Sequence, residues 1–219
     1  MSWHYLITDN YGWTTDYSQA QTDNVIEIWN TLVTENGWTE NAAAAVIGNF
    51  HVESLLNPGQ WEVGFNYDFQ HGTGLGQWTP ATKISSYVCS SDKDAMADGA
   101  KQMLYLLSHP DQYKLYYLNP DGTSNYYNES GLPYITNMDD FSHSNASIDD
   151  LTKVWAITWE RPGSTYYNSS KARRITCANN WYNIMHGSPP VPPTPPTPPM
   201  PWEVDLWLTI YEFLSKNLK

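Results

Sequence analysis

Apolar and polar positions along the chain fall first into helical periods. Val25, Ile26, Ile28, Trp29, Leu32 and Val33 share one face, which predicts a helix capped by Asp23 and ended by Gly37. Thr39 then caps an alanine-rich helix, NAAAAVIGNFHVES, which Asn57-Pro58 cannot continue, so it stops near Leu55 or Leu56. From residue 59 to 73 the period shortens to two. Trp61, Val63, Phe65, Tyr67 and Phe69 alternate with Glu62, Gly64, Asn66 and Asp68, the signature of a strand or hairpin. A helix is predicted from Thr79-Pro80 to about Cys89, with proline at its first position. Another is capped by Asp92, carries Met96, Met103, Leu104, Leu106 and Leu107, and stops at His109-Pro110. Residues 119–146, with Asn119-Pro120-Asp121-Gly122, Gly131 and Pro133, read as a long loop that holds Tyr126, Tyr127 and Tyr134. Ser147-Ile148-Asp149-Asp150 resembles a capping box before Leu151, Val154, Trp155 and Ile157. A last helix runs from about Ser170 to His186-Gly187. The pattern is α+β, mainly α, with one small hairpin or sheet in a domain over residues 1–187.

Beyond that domain the character changes. The stretch 188–201 contains PPVPPTPPTPPMP, nine of the chain's 15 prolines, and reads as a polyproline II spacer of about 40 Å. Residues 202–219, WEVDLWLTIYEFLSKNLK, read as one helix whose apolar stripe carries Val204, Trp207, Leu208, Tyr211, Leu214 and Leu218. It is too charged and too short for a membrane span, and its stripe predicts a docking partner.

Composition narrows the classes. A net charge of −12 excludes nucleic acid as the expected partner and gives no attraction to an anionic cell wall, which points to delivery by other means. Aromatics make up 15%, with 11 Trp and 16 Tyr, enough for a large core and for rings that stack on sugars. Cys89 and Cys177 are read as buried thiols rather than a disulfide framework. The start, MSWHYLITDN, has neither the basic residues nor the apolar run of a signal peptide.

One carboxyl stands out. Glu53 falls in the last turn of the alanine-rich helix, beside Val52, Leu55 and Leu56. The negative end of the helix dipole and nearby apolar surface both disfavour the charged form there, as a proton donor requires. His51 points to another face, whereas Asn49, four residues before Glu53, shares its face and is placed to hydrogen-bond it. No His-Glu-x-x-His or Cys-His cluster occurs, so no metal site, cofactor or cysteine nucleophile is predicted.

Three motifs in order carry a resemblance. Gly48-Asn49 leads to Glu53-Ser54, Gly74-Leu75-Gly76-Gln77-Trp78 follows, and Trp159-Glu160-Arg161-Pro162 precedes Lys171, Arg173 and Arg174. Over roughly residues 20–187 the chain resembles the phage tail lysozyme family of the lysozyme superfamily. That resemblance implies a lysozyme-like fold with a small sheet after the catalytic helix, and cleavage of peptidoglycan glycan strands by a virion-borne muramidase. Glu53 is then the proton donor, with Asp68 as the partner carboxylate and Glu62 behind it, or with no second carboxylate, as in several lysozyme relatives, and Gln77 orienting the N-acetyl group or a water. Asn49, Ser54, Gly74, Leu75, Gln77, Trp78 and Tyr134 are the expected substrate-binding residues, and Glu160-Arg161 is given a structural role, pairing or capping the cleft floor. The helix at 202–219 would dock on a tail or capsid protein. A lytic transglycosylase shares the Gly-Leu-x-Gln pattern, and an inactive glycan-binding tail module is the alternative from another class.

Overall fold

A helix this rich in alanine can be buried on every side, and helix α2 (Glu40–Ser54) is. In the computed structural model, which describes residues 3–10, 14–88 and 94–187, every residue from 42 to 52 is buried. Thr39 caps α2 by accepting the Ala42 N–H at 3.3 Å, as the sequence predicts. Its far end reverses through two left-handed residues, Leu55 (φ 54°) and Leu56 (φ 62°).

Helix α1 (Gln19–Trp29) supports that reversal. Gln21 donates to the Leu55 carbonyl at 3.0 Å and Asn24 to that of Leu56 at 2.9 Å, so buried amides satisfy the carbonyls beyond the end of α2. This explains why α1 starts earlier than its apolar face suggests. Ser18 and Gln21 form its capping box, not Asp23, and the first turn is polar because it has carbonyls to bind. A wide π turn, Asn30–Glu35, follows.

Helices α3 (Thr82–Val88) and α4 (Gly99–Ser108) come next. The first begins beyond Pro80. The second is capped by Asp98, which accepts the Lys101 N–H at 3.1 Å, while the predicted cap Asp92, like Cys89, lies outside the described residues. Within the predicted long loop a short helix α5 (Met138–Ser142) forms. Helix α6 (Ile148–Trp155), capped by Ser147 as predicted, runs into a second π turn, Ala156–Glu160. Helix α7 (Ser164–Met185) begins well before Ser170 and packs along α2 and α6.

The α2–α7 crossing is close because of one glycine. A Cβ on Gly48 would lie 2.5 Å from the Ala178 Cβ and 2.6 Å from the Arg174 carbonyl oxygen. The apolar core spans Val25 to Trp181, with Trp155 stacked on Trp159 at 4.9 Å between ring centres. Cys177 is buried, as expected.

The predicted hairpin is not a regular one. Among the described residues, pairing over 59–78 is confined to isolated bridges, Gln60 with Thr8, Trp61 with Thr73, and Thr73 with Trp78. Val63 and Phe65 are exposed, and Gly64 and Tyr67 have positive φ, so consecutive turns replace the expected strand. No helix among the described residues is long and apolar enough to cross a membrane. The proline spacer and the helix expected over 202–219 lie outside the described residues.

Candidate active site

The end of α2 meets the glycine-rich turn through Ser54, whose hydroxyl donates to the Phe50 carbonyl at 3.0 Å and to the Leu75 carbonyl at 2.9 Å. Gly74 (φ +78°) admits no side chain, since a Cβ would fall 2.7 Å from the Gln102 amide oxygen. That amide fixes the turn from beneath, accepting the Leu75 N–H at 2.9 Å and donating to Pro58 and Met96 carbonyls. The outcome is a cleft of about 560 Å³ with Glu53 on one wall and Gly76, Gln77 and Trp78 on another.

Glu53 is not surrounded by apolar groups alone. Arg174, reaching across from α7, is 1% exposed and donates through Nη2 to the Glu53 carboxylate. Its Nη1 donates to Asn49 at 2.8 Å and its Nε to Ser170 at 3.2 Å. Asn49 spends its own amide N–H groups on the carbonyls of Ala45 (2.9 Å) and Thr152 (3.1 Å). Asn49 therefore serves Glu53 indirectly. It is fully buried and holds the arginine that holds the acid.

A second carboxyl lines the same cleft. The π turn that ends at Glu160 closes with a 2.7 Å bond from the Arg161 N–H back to the Ala156 carbonyl, and Arg161 takes a left-handed conformation (φ 49°). Glu160 lines the cleft and accepts the Trp155 indole N–H at 3.0 Å. Burial and the neighbouring Glu53 charge push its pKa up to about 8, against the opposing pull of Arg174. Of the two structural options, pairing with Arg161 is not the one described, since that guanidinium donates to the Gln112 and Thr158 carbonyls at 2.6 and 2.9 Å. Lys83 and Tyr166 line the same cleft. Burial and nearby Arg161 lower the pKa of Lys83, while burial and the Glu53 charge raise that of Tyr166.

The remaining predicted residues divide. Gln77 lines the cleft, but its amide nitrogen donates to the Gln60 and Gly74 carbonyls, both at 3.1 Å, so it braces its own turn. Trp78 forms wall, packed against Phe50 and Tyr105, while Leu75, Ser54 and Gly74 are buried beneath it. Glu62 reaches the cleft while accepting the Gly72 N–H at 3.0 Å and facing His71 Nδ1 at 3.3 Å. Asp68 is exposed, accepts the Gln70 N–H at 2.9 Å, and is not among the cleft-lining residues. Tyr134 is 41% exposed and likewise outside that lining. His51 is buried between Asp16 (3.0 Å) and the Trp181 indole N–H (2.9 Å), a bracing role on the back of α2. Among the described residues, no three His, Cys, Asp or Glu side chains are grouped to hold a metal.

A mainly helical domain with a glutamate at a helix end, facing a glycine-rich turn across a cleft, is lysozyme-like. Residues 23–185 match the phage tail lysozyme family, and the chain belongs to it. It is similar to morphogenesis protein 1 of Bacillus phage B103, with 30% identity over 171 residues covering 77% of this chain. The match spans 41% of that relative's length.

Proposed function

We propose that this protein is a glycan-strand hydrolase of muramidase type, cutting the β-1,4 bond between N-acetylmuramic acid and N-acetylglucosamine in peptidoglycan. The observation that carries this reading is the cleft itself, where Glu53 shares the lining with Glu62 and Glu160 and with the aromatic rings of Trp78, Trp159 and Tyr166. Glycosidic cleavage needs a proton for the leaving oxygen and negative charge near the oxocarbenium-like transition state. Glu53 is the carboxyl that this chemistry cannot lose. Family membership supports a phage-borne role, and the proposal extends to a virion location with residues 202–219 docked on another virion protein.

Mass spectrometry of fragments released from purified cell walls tests the reaction. Hydrolysis yields reducing muramic ends, whereas 1,6-anhydro ends would assign a lytic transglycosylase. Glu53→Gln preserves shape and removes the acid, so release is expected to fall by about 10²-fold or more with thermal stability little changed. Release of no glycan fragments by the wild type, or near-normal release by the variant, contradicts the proposal.

A further inference from the structure

A partner to Glu53 must be a carboxyl that the fold leaves uncommitted. Asp68 binds the Gln70 N–H on the exposed side of its turn. Glu62 is engaged by the Gly72 N–H and His71. Glu160 is different: its described hydrogen bond is a single one from Trp155, and it sits in the cleft wall at the end of a π turn. Such turns interrupt a regular helix at a cost, and they recur where a side chain must be re-aimed for function.

We propose that Glu160 is the second catalytic carboxyl of this cleft, acting with Glu53 so that the pair delivers one proton and keeps one negative charge. The proposal rests on the glycan-cleaving reading above. In the reaction the C1–O bond breaks, and the leaving oxygen takes its proton from the pair. Water adds its hydroxyl to C1, and the proton that water releases restores the pair. The remaining carboxylate faces the positive charge that develops at C1.

The surroundings suit a shared proton. Glu160 faces Glu53 from α2, Arg174 and Tyr166 from α7, Trp155 from α6, and the adjacent Arg161. Arg174 touches Glu53 directly and supplies one positive charge, which balances one carboxylate and not two. Two carboxyls around one directly bound cation, partly withdrawn from water, favour a single shared proton, and Glu160 is the carboxyl placed to hold it. A raised affinity for that proton at Glu160 agrees with the geometry.

The test uses the full chain on soluble glycan fragments. Glu160→Gln keeps an oxygen for the Trp155 N–H, so the fold is retained. Its kcat is expected to drop by about 10²-fold with KM little changed, and the fall in wild-type activity near pH 8 should be lost or displaced. Wild-type kcat with an unaltered alkaline limb overturns the proposal. A purely structural role would leave the shape of the pH profile alone. Should the variant not fold, or the wild type release no glycan, carboxyl ¹³C titration of the wild type decides. One glutamate titrating near pH 8, and falling in Glu53→Gln, supports the pair. All glutamates titrating below about pH 6 overturn it. Absence of glycan cleavage by the wild type is a failure of the functional reading, and the titration separates that result from a failure of the pair.

Discussion

A guanidinium with 1% exposure must have its donors matched, and Arg174 spends them on Glu53, Asn49 and Ser170. Replacing it by methionine keeps the apolar stem but strands the Asn49 oxygen and leaves Glu53 without its cation. The expected loss in urea denaturation is about 3–5 kcal/mol, with cleavage by the folded fraction also reduced. Unchanged stability contradicts the buried network, and unchanged turnover per folded molecule confines Arg174 to structure. Glu53 was legible in the sequence because its signal is local: an apolar helix that ends in Glu-Ser before Asn-Pro. Arg174 was visible only as one of three basic residues. Which of them turns inward depends on the phase of α7, and the other two go elsewhere, Lys171 to Glu129 and Arg173 to Asp16. Glu160 was visible only as part of a motif with a structural reading, since its nearness to Glu53 joins residues distant in sequence.

At the scale of elements, the site depends on how closely α7 approaches α2. Gly48 lies about one and a half turns before Glu53 on the helix, and its missing side chain lets the Arg174 backbone come within contact distance. Gly48→Ala places a methyl group 2.5 to 2.6 Å from backbone and Cβ atoms that cannot rotate away. Overpacking of this kind costs about 1–3 kcal/mol or more, despite alanine's better helix propensity. The helices should separate slightly and pull Arg174 from Glu53, so kcat is expected to fall with stability. A variant that is more stable and fully active would show that the crossing has slack. Helix existence here was plain from period and caps, as Thr39 and Ser147 demonstrate. The two π turns were not, because one widened turn leaves no mark on a 3.6-residue period. The hairpin expectation is met only by isolated antiparallel bridges, because alternation describes only side-chain character. With Val63 and Phe65 exposed, the period-2 pattern has no sheet face to cover.

At the scale of the whole molecule, the charge of −12 sets a delivery problem for an enzyme whose proposed substrate is an anionic wall. The proposed solution lies in residues 188–219, where a proline spacer separates the domain from an amphipathic stretch. Tethering raises the local concentration of enzyme at the wall without any electrostatic attraction. Among the described residues the buried core runs from Val25 to Trp181, and that domain is proposed to fold without residues 189–219. Deleting residues 189–219 should therefore leave the thermal midpoint and the cleavage of small soluble glycan fragments unchanged. The truncated protein is expected to be absent from purified particles and slow to clear whole walls at low salt, where like-charge repulsion is least screened. Incorporation is scored by immunoblot of gradient-purified virions, and cleavage by release of reducing ends. If the truncated chain unfolds or loses activity on small fragments, residues 189–219 belong to the catalytic unit. If it still enters particles, the docking surface lies on the domain itself.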